Sequence, residues 1–133
     1  SRYIMKNHLE NMFSTIKNGQ MAKKSVVINS RKNICEEFLK IFWNEGFISG
    51  YRISPQNTDN LEIFLKYSKT GKPVINSLKL LSKPSQRIYY SSKQVWKLDS
   101  SKTFIIFSTN GGLKSINQCK KDKVGGEPLV IIN

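Results

Sequence analysis

The sequence holds one histidine, His8, and two cysteines, Cys35 and Cys119. Neither cysteine belongs to a CxxC, so a zinc site has no ligand set and the thiols read as reduced and structural. Acids are scarce as well, with 9 Asp and Glu against 22 Lys and Arg. No GxxxxGK(S/T) or GxGxxG loop is present to cradle a nucleotide phosphate. His8 has no Ser, Cys or acid in triad-like order, and Glu10, Glu36 and Glu37 fall on helical positions expected to face water. An enzyme is therefore not expected, nor a metal, a cofactor or a small-molecule substrate. No apolar run reaches the roughly 18 residues of a membrane span, and no basic amphipathic segment suits a membrane surface. The opening Ser1–Met5 lacks the apolar core of a signal peptide. Internal repeats and low-complexity tracts are absent too.

What is present is enough to build a core. The 133 residues are 38% hydrophobic and 11% aromatic, which suits one compact domain or two small ones and excludes a disordered tail. A net charge of +13 makes a polyanion, RNA or DNA, the default partner. The charge is uneven: residues 1–67 carry 10 Lys and Arg against 6 Asp and Glu, residues 68–133 carry 12 against 3. The C-terminal half is the stronger electrostatic footprint.

Leu9, Met12, Phe13 and Ile16 follow the spacing of one helical face, predicting a helix from Lys6 to Lys17 ended by Asn18-Gly19. Lys17 and Asn18, at its exposed end, are free to touch a partner. Ser25–Ile28 reads as a strand. Ser30 caps a second helix with Ile34, Phe38, Ile41 and Phe42 inward, and Gly46 stops it. Arg31 and Lys32 in its first turn oppose the helix dipole unless an anion is near, although a solvated basic turn is the commoner case. Phe47–Ile53 and Leu61–Tyr67 form an antiparallel pair. Thr70-Gly71-Lys72-Pro73 is turn chemistry, and it divides the chain into an N-terminal α/β domain, 1–72, and a mainly β domain, 73–133. In the second, Val74–Leu81 is a strand, Ser92 caps one turn near Lys93–Leu98 with Val95 and Trp96 inward, and Ser115 caps Ile116–Lys121.

The most informative stretch is Ser108-Thr109-Asn110-Gly111-Gly112. It follows the β-favouring run Thr103–Phe107 and is read with Gly125-Gly126-Glu127, which precedes Leu129–Ile132. Two strands edged by hydroxyls and close-approach glycines would present a small polar surface of the kind that meets folded nucleic acid. Two ordinary glycine turns would give the same residues. Glu127 has two readings of equal weight: an ion pair with Lys or Arg, or an acceptor for an RNA amino or 2′-hydroxyl group. Of Tyr89 and Tyr90, at most one belongs to the core.

In order along the chain, Ile16-Lys17-Asn18, Glu45-Gly46-Phe47-Ile48, Leu61–Tyr67, Leu78-Lys79 with Ser82-Lys83-Pro84 and Arg87-Ile88-Tyr89, and Ser108-Thr109 with Gly112 and Gly125-Gly126-Glu127 resemble one family. It is the eighth protein of the ribosomal small subunit, in its bacterial and organellar form. The resemblance implies an α+β fold of two small domains and a structural role: binding the central domain of small-subunit ribosomal RNA, among neighbouring ribosomal proteins, and aiding assembly. A free-standing RNA-binding regulator is the alternative. Carried over to this chain, Ser108, Thr109, Asn110 and Glu127 would meet bases and sugars, and Gly111, Gly125 and Gly126 would permit close approach. Lys83, Pro84, Ser85, Arg87 and Tyr89 would border that surface. The chain departs from the family pattern at Asn110, Gly111, Ser85-Gln86, Ser100-Ser101-Lys102 and Ser115-Ile116. Such drift, with the abundance of Asn, Ile, Lys and Ser, resembles a mitochondrial ribosome more than a plastid or a bacterial cytoplasm.

Overall fold

The computed structural model describes residues 2–81 and 87–133; Lys83, Pro84 and Ser85 lie outside the described residues. Contacts divide the chain into two compact units, Tyr3–Val74 and Ile75–Asn133. The fold is α+β, with four helices and two antiparallel sheets among the described residues.

The first unit is built on α1 (Arg2–Met21), whose Leu9, Met12 and Ile16 are fully buried and Phe13 nearly so. Each such side chain contributes about 1.5–3 kcal/mol of burial. The helix runs through Asn18-Gly19 instead of ending there. Gly19 is needed for contact: a Cβ on it would lie 2.3 Å from Val27 Cγ1 and 3.0 Å from Leu65. The helix stops after Met21, where Lys23 turns left-handed (φ 58°) and the Lys24 amide donates to the Gly19 carbonyl. Strand β1 (Val26–Ser30) follows, then α2 (Asn33–Asn44), β2 (Ile48–Ile53) and β3 (Asn60–Leu65), giving a sheet of order β1-β3-β2. Leu61, Ile63 and Leu65 are buried and alternate with half-buried Glu62 and Phe64.

Two expectations for α2 are corrected. Ser30 ends β1 and caps nothing; Lys32 holds the N-cap position with no side-chain cap bond. Arg31 and Lys32 therefore stand just before the helix, where the positive end of its dipole still disfavours them, and for Arg31 the compensating anion is Glu36, at 3.4 Å. The buried face is Cys35, Phe38, Leu39 and Phe42, while Ile34 and Ile41 stay half-buried. Pairing decides this rotation: Phe13 meets Phe38 and Phe42 at ring-centroid distances of 6.3 Å, and Asn29 reaches the Cys35 sulfur at 3.8 Å. Gly46, at φ 81°, does end the helix, with the Phe47 amide donating to the Phe42 carbonyl.

The second unit is a four-stranded sheet of order β4-β7-β5-β6, with β4 (Leu78–Leu80), β5 (Phe104–Thr109), β6 (Gly112–Ser115) and β7 (Glu127–Ile132). Helices α3 (Ser92–Trp96) and α4 (Ile116–Asp122) join it, and Val95, Ile105, Phe107, Ile116 and Cys119 form one buried cluster. Strand β4 is shorter than Val74–Leu81, because the amides of Asn76 and Ser77 donate to the single carbonyl of Asn133 before pairing begins. The cap of α3 is Ser91, not Ser92, in a reciprocal capping box with Gln94. Val95 is buried as expected, but Trp96 is 56% exposed, with Lys120 Nζ 5.9 Å from its ring centre. Ser115 caps α4 as expected, accepting from the Gln118 amide at 3.2 Å.

Candidate nucleic-acid interface

Ser108 and Thr109 are strand residues, contrary to the loop expected after Phe107. Ser108 pairs with Leu113 of β6 and with Glu127 of β7, and Thr109 pairs with Gly112. Pairing on both sides overrides the turn-forming composition of the stretch. The loop shrinks to Asn110-Gly111. Neither residue takes a positive φ, so the primed turn that Asn-Gly usually signals is not used. Gly112 supplies the twist instead, at φ 99°.

The hydroxyls at this hairpin differ in what they do. Thr109 Oγ1 donates to the Gly112 carbonyl at 2.7 Å and accepts from the Gly111 amide at 3.1 Å, stapling the turn. Ser108 is exposed, and its hydroxyl has no partner among the described residues. The Asn110 side chain is exposed in the same way. The hairpin thus offers one hydroxyl and one amide to a ligand, on a backbone held by the neighbouring threonine.

Gly125 and Gly126 admit close approach, and the chain's own backbone takes it. A Cβ on Gly125 would lie 2.2 Å from the Tyr90 carbonyl oxygen, and one on Gly126 2.6 Å from the Ser108 carbonyl oxygen. Tyr90 and Gly126 exchange two backbone hydrogen bonds, at 2.8 and 2.9 Å. Tyr90 then packs edge-on against Phe107 at 6.1 Å, while Tyr89, next to it, stays 65% exposed. This settles which tyrosine is core. Sequence reasoning missed the anchoring role of Tyr90 and Ser91; the Ser91…Gln94 capping box was a local signal for one of them.

Glu127 is 9% exposed and meets Arg87 through Nη2 and Oε1 at 3.4 Å. Of its two readings, the ion pair is formed. Asp122 is held by Lys114 at 2.8 Å and by Gln118 at 3.0 Å, and these bonds, Lys114 first, keep its carboxyl below the ordinary aspartate value. Asp99 is likewise lowered, by the hydroxyl and then the amide of Ser101. The exposed cations Lys93, Lys97, Lys102, Lys121 and Lys123 outnumber these acids. Such a surface draws phosphate.

Arg87, Tyr89, Ser108, Thr109, Asn110, Gly111, Gly125, Gly126 and Glu127 all lie in this second unit. Lys17, Asn18, Arg31 and Lys32 lie in the first. Lys17 and Asn18 are exposed on the last turns of α1, and Asn18 borders a groove beside β1. At the other end of β1, the Arg31 amide donates to Asp59, and its guanidinium reaches Glu36 and the Thr58 carbonyl at 3.4 Å. Among the described residues no three His, Cys, Asp or Glu gather as metal ligands, and no helix is long and apolar enough to cross a membrane.

The sequence profile of the family described as ribosomal protein S8 matches residues 7–132. The chain is 34% identical to small ribosomal subunit protein uS8 of Blochmanniella pennsylvanica, covering 97% of this chain and 98% of that protein. It is 36% identical to uS8 of Pseudomonas fluorescens, over 96% and 98%. To uS8c of Chlorella vulgaris it is 34% identical, over 95% and 97%.

Proposed function

Because the chain belongs to the ribosomal protein S8 family, we propose that it is a structural component of the small ribosomal subunit, not an enzyme, and that it binds the central domain of the subunit's RNA. The observation that carries the RNA assignment is the hairpin end of the second unit. The Ser108 hydroxyl and the Asn110 side chain have no partner among the described residues, on a backbone fixed by Thr109 and by the Tyr90–Gly126 bridge. These groups are small enough to reach 2′-hydroxyls and minor-groove base edges, which are what A-form RNA exposes. Arg87, aimed by Glu127, and Lys83 take phosphates; Tyr89 lies against sugar or base; Pro84 and Ser85 border the contact. Gly111 leaves the hairpin tip open to close approach by RNA, while Gly125 and Gly126 bring the chain's own backbone against the same hairpin. Lys17, Arg31 and Lys32 add phosphate contacts from the first unit.

Its place is the ribosome, beside other small-subunit proteins. Departures from the family pattern favour a mitochondrial ribosome over a plastid or bacterial one; organelle fractionation tests that. A central-domain fragment of the cognate RNA, compared with a scrambled RNA of equal length across a salt series, tests the RNA assignment. Preference for the cognate fragment by about 10³-fold or more at physiological salt supports it. Equal binding that salt abolishes in both would leave charge alone as the cause. Cofractionation with small subunits separates a ribosomal protein from a free-standing regulator using the same surface.

A further inference from the structure

Strand β1 is an edge of its sheet, and its outer side pairs with no strand among the described residues. In an antiparallel ladder, residues alternate between bonding the partner strand and pointing their N–H and C=O away from it. Leu65 donates to the Ser25 carbonyl, and the Arg31 amide donates to Asp59, so the odd positions of β1 bond β3. The amides and carbonyls of Val26 and Ile28 therefore point out of the sheet. At Ser30 the outward carbonyl is already taken by the Asn29 side chain, at 2.9 Å. Val26 and Ile28 are 37% and 51% exposed, and Val26 stands opposite half-buried Phe64. Proteins shield such an edge with proline, an inward charge or a bulge. Val26–Ser30 contains none of these.

Beside this edge runs a groove of about 580 Å³. Its helical wall is made of short side chains, Thr15, Asn18 and Ala22 of the α1 end, and its strand wall carries Lys24, Val26 and Ile28. Among the described residues the lining includes one cation and no carboxylate. Gly19 and Val27 complete the lining, and a strand added to this edge would run about 4.8 Å from β1.

We infer that this edge receives a β-strand from another small-subunit protein: an extended segment, apolar on alternate residues, with a carboxylate where it passes Lys24. The inference rests on the ribosomal reading above, but not on the RNA surface. Donors and acceptors alternate along the edge, and a peptide backbone matches both, whereas phosphate oxygens only accept. Pairing with a second copy is opposed by the chain's own net charge of +13.

The test places a photoreactive residue at Val26, with a control at exposed Thr58, in full-length protein incorporated into purified small subunits. Incorporation itself is read first, by fractionation. The expected result is a crosslink from position 26 to one ribosomal protein, within an extended peptide bearing an Asp or Glu. Ile28→Pro removes an outward donor without touching the β3 ladder, and Ala22→Trp fills the groove without touching the strand. Each should cut the crosslink by about tenfold, the equivalent of one or two strand hydrogen bonds. Crosslinks to RNA, to a second copy, or to nothing in subunits that contain the chain overturn the inference while leaving the ribosomal reading intact. A chain absent from subunits overturns both.

Discussion

Arg87 and Glu127 meet at 3.4 Å although forty residues separate them in sequence. The partners are unequally placed: the Arg87 side chain is 68% exposed and that of Glu127 is 11%. Solvent screens the guanidinium, so the pair contributes about 0–1 kcal/mol to stability. Its effect is orientation, since a nearly buried carboxylate holds an exposed cation beside the Ser108 hairpin.

Glu127→Gln should therefore leave the melting temperature almost unchanged but lower the preference for cognate over scrambled RNA by about tenfold. The salt slope should move by no more than about one, because Arg87 is still charged and only its aim is lost. Binding curves at several salt concentrations check both. A preference that survives the substitution would give the orientation to other groups.

The glycines of the second unit separate steric crowding from backbone strain. Gly125→Ala puts a methyl 2.2 Å from the Tyr90 carbonyl oxygen, where neither backbone can yield. It should destabilise by about 3 kcal/mol, at the upper end of overpacking costs, and release the Tyr90 bridge. Gly112→Ala meets nothing within 4 Å and costs only its φ of 99°, about 1–2 kcal/mol. Urea unfolding should rank Gly125→Ala well below Gly112→Ala.

Much of the fold was legible because its signals are local. Leu9, Met12, Phe13 and Ile16 announce the buried face of α1, Leu61, Ile63 and Leu65 that of β3, and Gly46 and Ser115 their helix ends. The errors arise where distant packing outweighs local chemistry. Gly19 looks like a helix stop but is a contact with Val27, and Cys35 and Leu39 displace Ile34 and Ile41 because Phe13 and Asn29 lie on that side. At the candidate site the composition of Ser108–Gly112 was readable, but its distribution of tasks was not. That Thr109 staples the turn while Ser108 stays available depends on β6, which the sequence reading did not contain. The Tyr90–Gly126 bridge likewise joins segments with no local sign of each other.

The titrating groups predict a stability plateau bounded on both sides. Asp122 and Asp99 have folded-state values below the ordinary 3.8, so their contribution is present above that value and lost as pH falls through the folded-state one. Burial, partly offset by Asn29, pushes the Cys35 thiol from 9.0 up to about 11. The thiol form is favoured by folding, so that contribution is complete below pH 9 and lost as pH rises to about 11. Thermal melts across pH should show both flanks. Lys114→Met should raise the Asp122 titration midpoint, followed by carboxyl NMR, and Cys35 should resist alkylation at pH 8 until the protein is unfolded.

Ser108 and Thr109 are neighbours with the same functional group, and the structure assigns them opposite consequences. The Ser108 hydroxyl has no partner among the described residues and sits on an exposed side chain. Ser108→Ala should shift stability by less than about 0.5 kcal/mol, as surface changes do. It should weaken cognate RNA binding by about 1–2 kcal/mol, the value of one unmade hydrogen bond to a desolvated partner. Thr109 makes two bonds within the hairpin, at 2.7 and 3.1 Å. Thr109→Val keeps the shape and β-propensity but removes both, so it should cost about 1–2 kcal/mol of stability. RNA affinity would then fall only because Asn110 is no longer held in place. Thr109→Ser restores the hydroxyl and should recover most of the stability and the affinity together. If Thr109→Val lost affinity with unchanged stability, the threonine would be a direct RNA contact and the division between the two hydroxyls would fail.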